Sequence, residues 1–297
     1  MPAWDRIAPC LVCPSCESAL TRAGAALRCR RGHTRNIARS GYADLLPSGR
    51  RGRVPGDTRA MLLARRRFLE RGHYRPIAAA LVAAVARHLA AMPMIAPGET
   101  RCLADAGCGE GYYLARLRDA LLARADLGEL AFVGSDVSRE AAALAARRTP
   151  AINIVASDSW GRFPYRAASL TALLNLFAPR NPAEFARIVA PGGLLAIVIP
   201  TADHLRELRA ALPLLGIQAG KRAAILAQFA AAAAGPFALL EVVSLAFALD
   251  LSRADAADLL RMTPNAHYLT DARIAAYTVA VPRRIGARCE VLLFRRR

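Results

Sequence analysis

The run Asp105-Ala-Gly-Cys-Gly-Glu-Gly111 joins an acid to three closely spaced glycines, and both parts carry chemical information. Glycines at alternate positions let a backbone turn tightly and approach a ligand. The acid narrows the ligand. A glycine turn at a helix N-terminus ordinarily receives a pyrophosphate, which Asp105 would repel; a cationic amino-acid moiety suits it instead. Two further acids, Asp136 and Asp158, stand where the next two apolar runs end. There, one carboxylate can accept hydrogen bonds from both hydroxyls of a ribose, and the other can accept from an adenine amino group. Taken singly, each could equally be a helix cap. Together with the turn, they are what S-adenosylmethionine requires. Asp105, Gly107, Gly109, Asp136 and Asp158 are therefore expected to hold that cofactor, with Cys108 a small packed residue between them.

A second constellation, Cys13-x2-Cys16-x12-Cys29-x3-His33, has the spacing of zinc ligands. Each close pair can grip the ion from one turn, and three thiolates with one imidazole saturate a tetrahedral Zn2+. The ion would be structural, replacing the core that so short a segment cannot build. Cys10 extends the run to Cys-x2-Cys-x2-Cys, an iron–sulfur spacing. The later ligand spacing favours zinc and leaves Cys10 spare. Arg22, Arg28, Arg30, Arg31, Arg35 and Arg39 surround these ligands, so the loop is either an RNA-docking surface or a solvated face.

The elements that must position these residues fall into three regions. Residues 1–50 carry the zinc ligands. Residues 51–97 read as two helices, the first capped by Asp57 or Thr58 and stopping at Gly72, the second Ala-rich and ending at Pro93. From residue 98 to 297 apolar strands alternate with helices. The expected strands are Arg101–Ala104, Ala131–Ser135, Asn153–Ala156, Leu170–Leu176 and Leu194–Ile199, with helices starting near Gly111, Ser138 and Asn181. Continuous apolar strands between helices imply a parallel sheet covered on both faces. Glu241–Leu249 and Cys289–Phe294 would add an antiparallel edge pair. The fold class is then α/β: a Rossmann-like, seven-stranded S-adenosylmethionine-dependent methyltransferase domain with a small zinc-binding module and a helical linker.

Hydrophobic residues make up 55% of the 297, which excludes a disordered chain. The most apolar helical segment is interrupted by Arg87 and His88, too soon to cross a bilayer. With no recognisable signal sequence, a cytoplasmic enzyme without a membrane partner is expected. A net charge of +18 points to a polyanionic partner, nucleic acid first. Arg-for-Lys bias accounts for the single lysine, Lys221, but not for the shortage of acids. Seven cysteines are an odd number, and four lie within the first 29 residues, which argues for metal rather than a disulfide framework.

The combination resembles the 23S rRNA (guanine-N1) methyltransferase family, which includes enzymes of tylosin and mycinamicin resistance. The resemblance covers nearly the whole chain. It runs through Cys13/Cys16/Cys29/His33, Ser40-Gly-Tyr-Ala-Asp-Leu-Leu-Pro47, Pro55-Gly-Asp57, Ala64-Arg-Arg-Arg-Phe-Leu69 and Gly72-His-Tyr74 to the glycine turn. It continues in Asp136-Val-Ser138, Ala178-Pro179, Pro191-Gly-Gly193, His204-Leu205 and Met262-Thr-Pro264. It implies that Tyr74, Gly109, Glu110 and His204 contact the cofactor, that the acceptor is a guanine N1 in a 23S rRNA hairpin, and that the protein is a homodimer. Asn175 and Phe177 become candidates for positioning the base, Phe177 by stacking. This sequence departs from the family's pattern in carrying Phe177 where relatives have Tyr and Arg180 where they have Cys. A methyltransferase of a small natural product and a catalytically silent RNA-binding paralogue are the competing expectations.

Overall fold

Alternation along the strands decides which layers cover the sheet. In a computed structural model, residues 4–47, 56–96, 98–158, 160–213, 220–229 and 235–297 are described. The expected boundaries at residues 50/51 and 97/98, and Pro55, lie outside or at the edge of the described residues. In chain order the elements begin with α1 (Trp4–Ile7), β1 (Leu20–Ala23), β2 (Ala26–Cys29), β3 (Thr34–Asn36), β4 (Tyr42–Asp44), α2 (Arg59–Glu70) and α3 (Arg75–Ala90). Next come β5 (Thr100–Ala106), α4 (Tyr112–Leu122), β6 (Glu129–Asp136), α5 (Arg139–Arg148), β7 (Asn153–Ala156), β8 (Leu170–Leu176), α6 (Pro182–Ile188) and β9 (Val189–Pro200). The chain ends with α7 (Arg206–Ala211), α8 (Lys221–Phe229), β10 (Phe237–Asp250), α9 (Arg253–Arg261), α10 (Asp271–Ala280) and β11 (Arg284–Arg296).

The large sheet has the order β10-β11-β9-β8-β5-β6-β7-β4. Its strands are parallel from β4 to β9, and β11 runs antiparallel to both β9 and β10. The α/β, Rossmann-like expectation holds, and β10 with β11 is the antiparallel pair foreseen. The seven strands of the expectation are joined by β4, which comes from the N-terminal segment and pairs with β7 through Tyr42↔Ile154 and Asp44↔Ala156. A three-residue strand without periodic pattern is invisible until its partner is in place. The chain winds outward in opposite directions from β5, to β6 and to β8, so the carboxyl ends of β5 and β8 flank the crevice where such sheets bind ligands.

Successive residues of β5 serve opposite layers: Leu103 packs with α3 and α4, while Cys102, Ala104 and Ala106 face the other side. That other side is covered largely by the N-terminal segment. Trp4, Ile7, Leu11, Leu20 and Leu27 are buried against Val133, Val155, Leu173 and Leu195. Leu11 bridges to Tyr165, and Cys10 Sγ lies 2.8 Å from Cys102 Sγ. The segment thus shares the sheet's core rather than relying on metal alone.

Local caps form as their sequences require. Thr58 accepts from the N–H of Met61, Ser138 from Ala141 and Asn181 from Glu184, with Pro182 opening α6. β9 starts five residues before the expected Leu194, because Val189 already pairs with Leu170 of β8, and Pro191-Gly192-Gly193 fall in the irregularity before Leu194 pairs with Ala172. Among the described residues no helix is long and apolar enough to cross a membrane.

Candidate functional site

The glycine turn leaves β5 at the sheet's carboxyl edge and enters α4. Gly107 has φ +84° and packs so tightly that a Cβ there would lie 2.5 Å from Cβ of Ala178. The position therefore demands glycine on both conformational and steric grounds. The N–H groups of Gly107 and Cys108 both donate to the carbonyl of Ser135, tying the turn to β6. Gly109 leaves an open cradle whose nearest neighbour is Arg65 Nη1, 3.4 Å from where a Cβ would stand. Arg65 is held over the turn by Asp57 at 2.5 Å and by the carbonyl of Met262 at 2.9 Å.

Two of the three acids lie at this turn: Asp105 opens it and Asp136 bonds to its Gly109. Asp136 accepts from the N–H of Gly109 through Oδ2 and from that of Ser138 through Oδ1, each at 2.9 Å. A carboxylate offers about four acceptor sites, so capacity for two hydroxyl donors remains. Burial outweighs these bonds and holds Asp136 above the usual carboxylate range. Asp158 is 8% exposed and accepts from the N–H of Trp160 at 2.8 Å. Asp105 differs from both. It is 2% exposed and its Oδ1 has no hydrogen-bond partner. Burial, reinforced by the charge of Asp136, pushes its carboxyl up to about 8. A buried carboxyl whose Oδ1 lacks a partner, beside an open glycine cradle, fits a ligand that brings a cation, as S-adenosylmethionine does.

Glu110 departs from a simple picture of cofactor contact. Its carboxylate is buried and forms an ion pair with Arg148, Oε2 to Nε at 2.5 Å, without hydrogen-bond alignment. Burial nonetheless keeps Glu110 raised. Arg148 also lies over the ring of Tyr112 and reaches Glu70. Its side chain thus ties α2 and the glycine turn to α5.

Tyr74 and His204, 130 residues apart, meet in the fold, with Tyr74 hydroxyl and His204 Nε2 separated by 3.2 Å. The N–H of Arg288 donates to His204 Nδ1 at 3.1 Å, so Nδ1 carries no proton. The neutral ring then has its hydrogen on Nε2 and donates it to the Tyr74 oxygen. Burial lowers His204 to about 4, and nearby Arg209 and Lys221 oppose its protonation as well. The hydroxyl proton of Tyr74 is consequently free for another acceptor. Phe177 lies beside the pair, its ring 6.4 Å from Tyr74 and 6.5 Å from His204, centroid to centroid. It is 40% exposed and sits at φ +52°, a strained conformation that turns the ring outward. Asn175 is fully buried. Its Nδ2 donates to the carbonyls of Ala106 and Pro179, bracing the glycine turn against the Phe177 loop, and its Oδ1 is unpartnered.

Sequence reasoning attached no role to the ion pairs that fasten the segment before Tyr74 to α9. Arg67 of α2 and Arg71, the residue that ends it, grip the buried Asp258 of α9, at 2.6 and 2.9 Å. Arg71 and His73 both approach Asp255 to 2.9 Å. For Asp255, burial is outweighed by hydrogen bonds from Ser252 and His73, which hold it at about 2. The repeated arginines of Arg65-Arg-Arg67 were the available signal.

The zinc ligands assemble as their spacing predicts. Sulfur and imidazole atoms of Cys13, Cys16, Cys29 and His33 all lie within 4.8 Å of one another. His33 Nδ1 is 3.6, 3.3 and 3.5 Å from the three sulfurs, and Cys16 and Cys29 are 3.6 Å apart. Tetrahedral zinc with ordinary bond lengths requires S···S of about 3.8 Å and S···N of about 3.6 Å, so the donor set fits the ion. The hydroxyl and N–H of Ser18, followed by His33, lower Cys16 to about 6 and favour the thiolate that binds metal. Cys10 lies outside the cluster, against Cys102. Arg28, Arg30, Arg31 and Arg39 are exposed beside it and form no ion pair among the described residues.

A zinc-ribbon family model described as "RlmA, N-terminal" matches residues 11–51. A Micromonospora griseorubida protein assigned as a 23S rRNA (guanine-N(1)-)-methyltransferase is 37% identical over 97% of both chains. The Streptomyces fradiae 23S rRNA (guanine(748)-N(1))-methyltransferase is 36% identical over 74% of each. Among solved structures, a loganic acid methyltransferase with SAH superposes with a TM-score of 0.54 at 12% identity, covering 74% of this chain and 92% of that one. That likeness concerns the fold.

Proposed function

The chain belongs to the 23S rRNA (guanine-N1) methyltransferase family, and on that footing we propose that it transfers a methyl group from S-adenosylmethionine to N1 of a guanine in 23S rRNA. The near-full-length similarity to the Micromonospora griseorubida protein carries this reading. S-adenosylmethionine supplies an electrophilic methyl on a sulfonium. The chain's own residues do the rest. Asp105 receives the ammonium, Asp136 the ribose hydroxyls and Asp158 the adenine amino group. The Gly109 and Glu110 backbones line the cradle, and Tyr74, oriented by His204, donates its hydroxyl into the pocket.

A guanine N1 inside a hairpin is hidden by pairing, so the base must leave the stack to be methylated. Phe177, aromatic, half-exposed and beside Tyr74, is the platform on which it stacks. Asn175 serves this step indirectly, by bracing the Phe177 loop. His204 is a poor acceptor for the N1 proton, because Nδ1 is occupied by the Arg288 N–H and Nε2 bears hydrogen; the proton leaves to solvent. The zinc-pinned segment, residues 1–50, docks RNA through its unpaired arginines, the linker of residues 51–97 supplies Tyr74, and residues 98–297 carry out the transfer. The working form is a cytoplasmic homodimer acting on the large subunit or its precursor, and the modification confers macrolide resistance.

The test is to methylate naked and ribosome-assembled 23S rRNA with labelled cofactor and map the stop to reverse transcription, since N1 methylation blocks the pairing edge. Label confined to one guanine supports the proposal. Label at another base or atom, or none, refutes it.

A further inference from the structure

Arg180 and Lys221 belong to neither the cofactor pocket nor the zinc centre. Arg180 lies three residues beyond Phe177 on the loop that leaves β8. Its side chain is partly buried, its Nη1 is shielded from solvent, and it has no hydrogen bond or ion pair among the described residues. Lys221, the single lysine among 41 basic residues, opens α8 and lies within electrostatic reach of both Arg180 and His204. With Ile199, Thr201, Arg222 and Glu290 it lines a pocket of about 300 Å3 beyond the end of β9. Glu290 is the one acid lining that pocket, and it is committed to Arg222 at 2.9 Å.

Two half-buried cations within electrostatic reach of each other cost free energy, since each loses part of its hydration and repels the other. Burial lowers both groups, and the charge of Arg180 lowers Lys221 further. An anion seated between them removes both costs. The first turn of α8 adds N–H groups without intrahelical partners and the positive end of a nine-residue helix.

We propose that Arg180, Lys221 and the first turn of α8 form a seat for a backbone phosphate of the RNA strand, the one flanking the guanine that stacks on Phe177. The proposal rests on the rRNA methyltransferase reading. Phe177 and Arg180 then act from a single loop, one on the base and the other on the backbone. Extruding a base requires that the strand be held while the base swings out, and a phosphate fixed beside the aromatic platform supplies that hold. Arginine offers the phosphate a planar fork and lysine a point charge.

The experiment uses the full-length protein and in-vitro transcribed 23S rRNA, with Arg180→Met, Lys221→Met, the double variant and the conservative Lys221→Arg. Wild type is first shown to place label on RNA; if it does not, the rRNA reading fails and the seat fails with it. If it does, the double variant should raise the RNA KM at least tenfold and reduce the slope of log K against log salt by about 1 to 2, one counterion per lost contact. Affinity for S-adenosylhomocysteine should stay within twofold, and Lys221→Arg should restore most RNA affinity. Ethylation of phosphates on the RNA should block wild-type binding at a position next to the modified guanine, and that interference should disappear with the double variant. Unchanged KM and salt slope, interference that persists in the variant, or loss of cofactor affinity instead of RNA affinity would each overturn the seat.

Discussion

Replacing Asp105 with asparagine removes a charge from the pocket while keeping its shape. Asp105 is 2% exposed with an unpartnered Oδ1, and burial with the charge of Asp136 raises it from 3.8 to about 8. A carboxyl raised on folding contributes its full stability below its unfolded pKa and loses it as pH climbs through the folded one. Without ligand, this group therefore costs nothing near pH 3 and about 4 kcal/mol at pH 7. Asparagine abolishes that cost but leaves a buried amide incompletely bonded, at about 1–3 kcal/mol. The variant should thus be more stable than wild type at pH 7 by roughly 1–3 kcal/mol, with a melting temperature raised by roughly 2–8 °C. The gap should narrow by about 1.4 kcal/mol for each pH unit of acidification between pH 8 and 4.

Cofactor binding should respond in the opposite sense. A cationic ligand binds the ionised carboxylate, so binding expels a proton wherever Asp105 is protonated in the free protein. Wild-type affinity for S-adenosylhomocysteine should rise about eightfold between pH 6.5 and 7.5, and level off near pH 8, where the ligand's own amino group begins to lose its proton. In Asp105→Asn affinity should fall roughly 100-fold and lose that pH dependence, because a buried charge partner is gone. Calorimetry in buffers of different ionisation enthalpy measures the proton release directly. A stability gap independent of pH, or wild-type binding without proton release at pH 7, would refute the assignment of Asp105 as the cation's partner.

Phe177→Ala should lower kcat/KM for RNA about 10- to 100-fold, the worth of one base–aromatic stack, and leave S-adenosylhomocysteine binding within twofold; equal RNA kinetics in the two proteins would dismiss the platform. His204 at about 4 stays neutral in the working range, so rate profiles between pH 6 and 8 should contain no inflection that disappears in His204→Ala. The same variant strands the Tyr74 hydroxyl and should weaken cofactor binding about tenfold, as equilibrium titration would reveal. Metal analysis should give one zinc per chain, with the ion lost in Cys16→Ser. Because Trp4, Ile7 and Leu11 belong to the sheet's core, chelation should lower the melting temperature of the whole fold in one transition, by roughly 5–10 °C. A separate early transition confined to the N-terminal segment would contradict the shared core.

The glycine turn and the zinc ligands were readable from the chain because both are local. Gly107 and Gly109 lie between a strand and a helix, and each Cys or His pair spans a single turn, so spacing alone determines what they can grip. Asp136 and Asp158 were readable for a related reason, as acids placed where apolar runs stop. Long-range packing determined the rest. β4 is a strand only because β7 presents an unpaired edge to it. The tautomer of His204 is set by an N–H 84 residues away, and Arg71, three residues before Tyr74, is held by acids of α9 that no periodicity connects to it. The amide of Asn175 meets the carbonyls of Ala106 and Pro179, a bracing contact that only the folded chain brings together. The same holds for the charge state of Asp105. Its place in the turn is written in the sequence, but its proton affinity depends on how completely the folded chain excludes water and how close it brings Asp136.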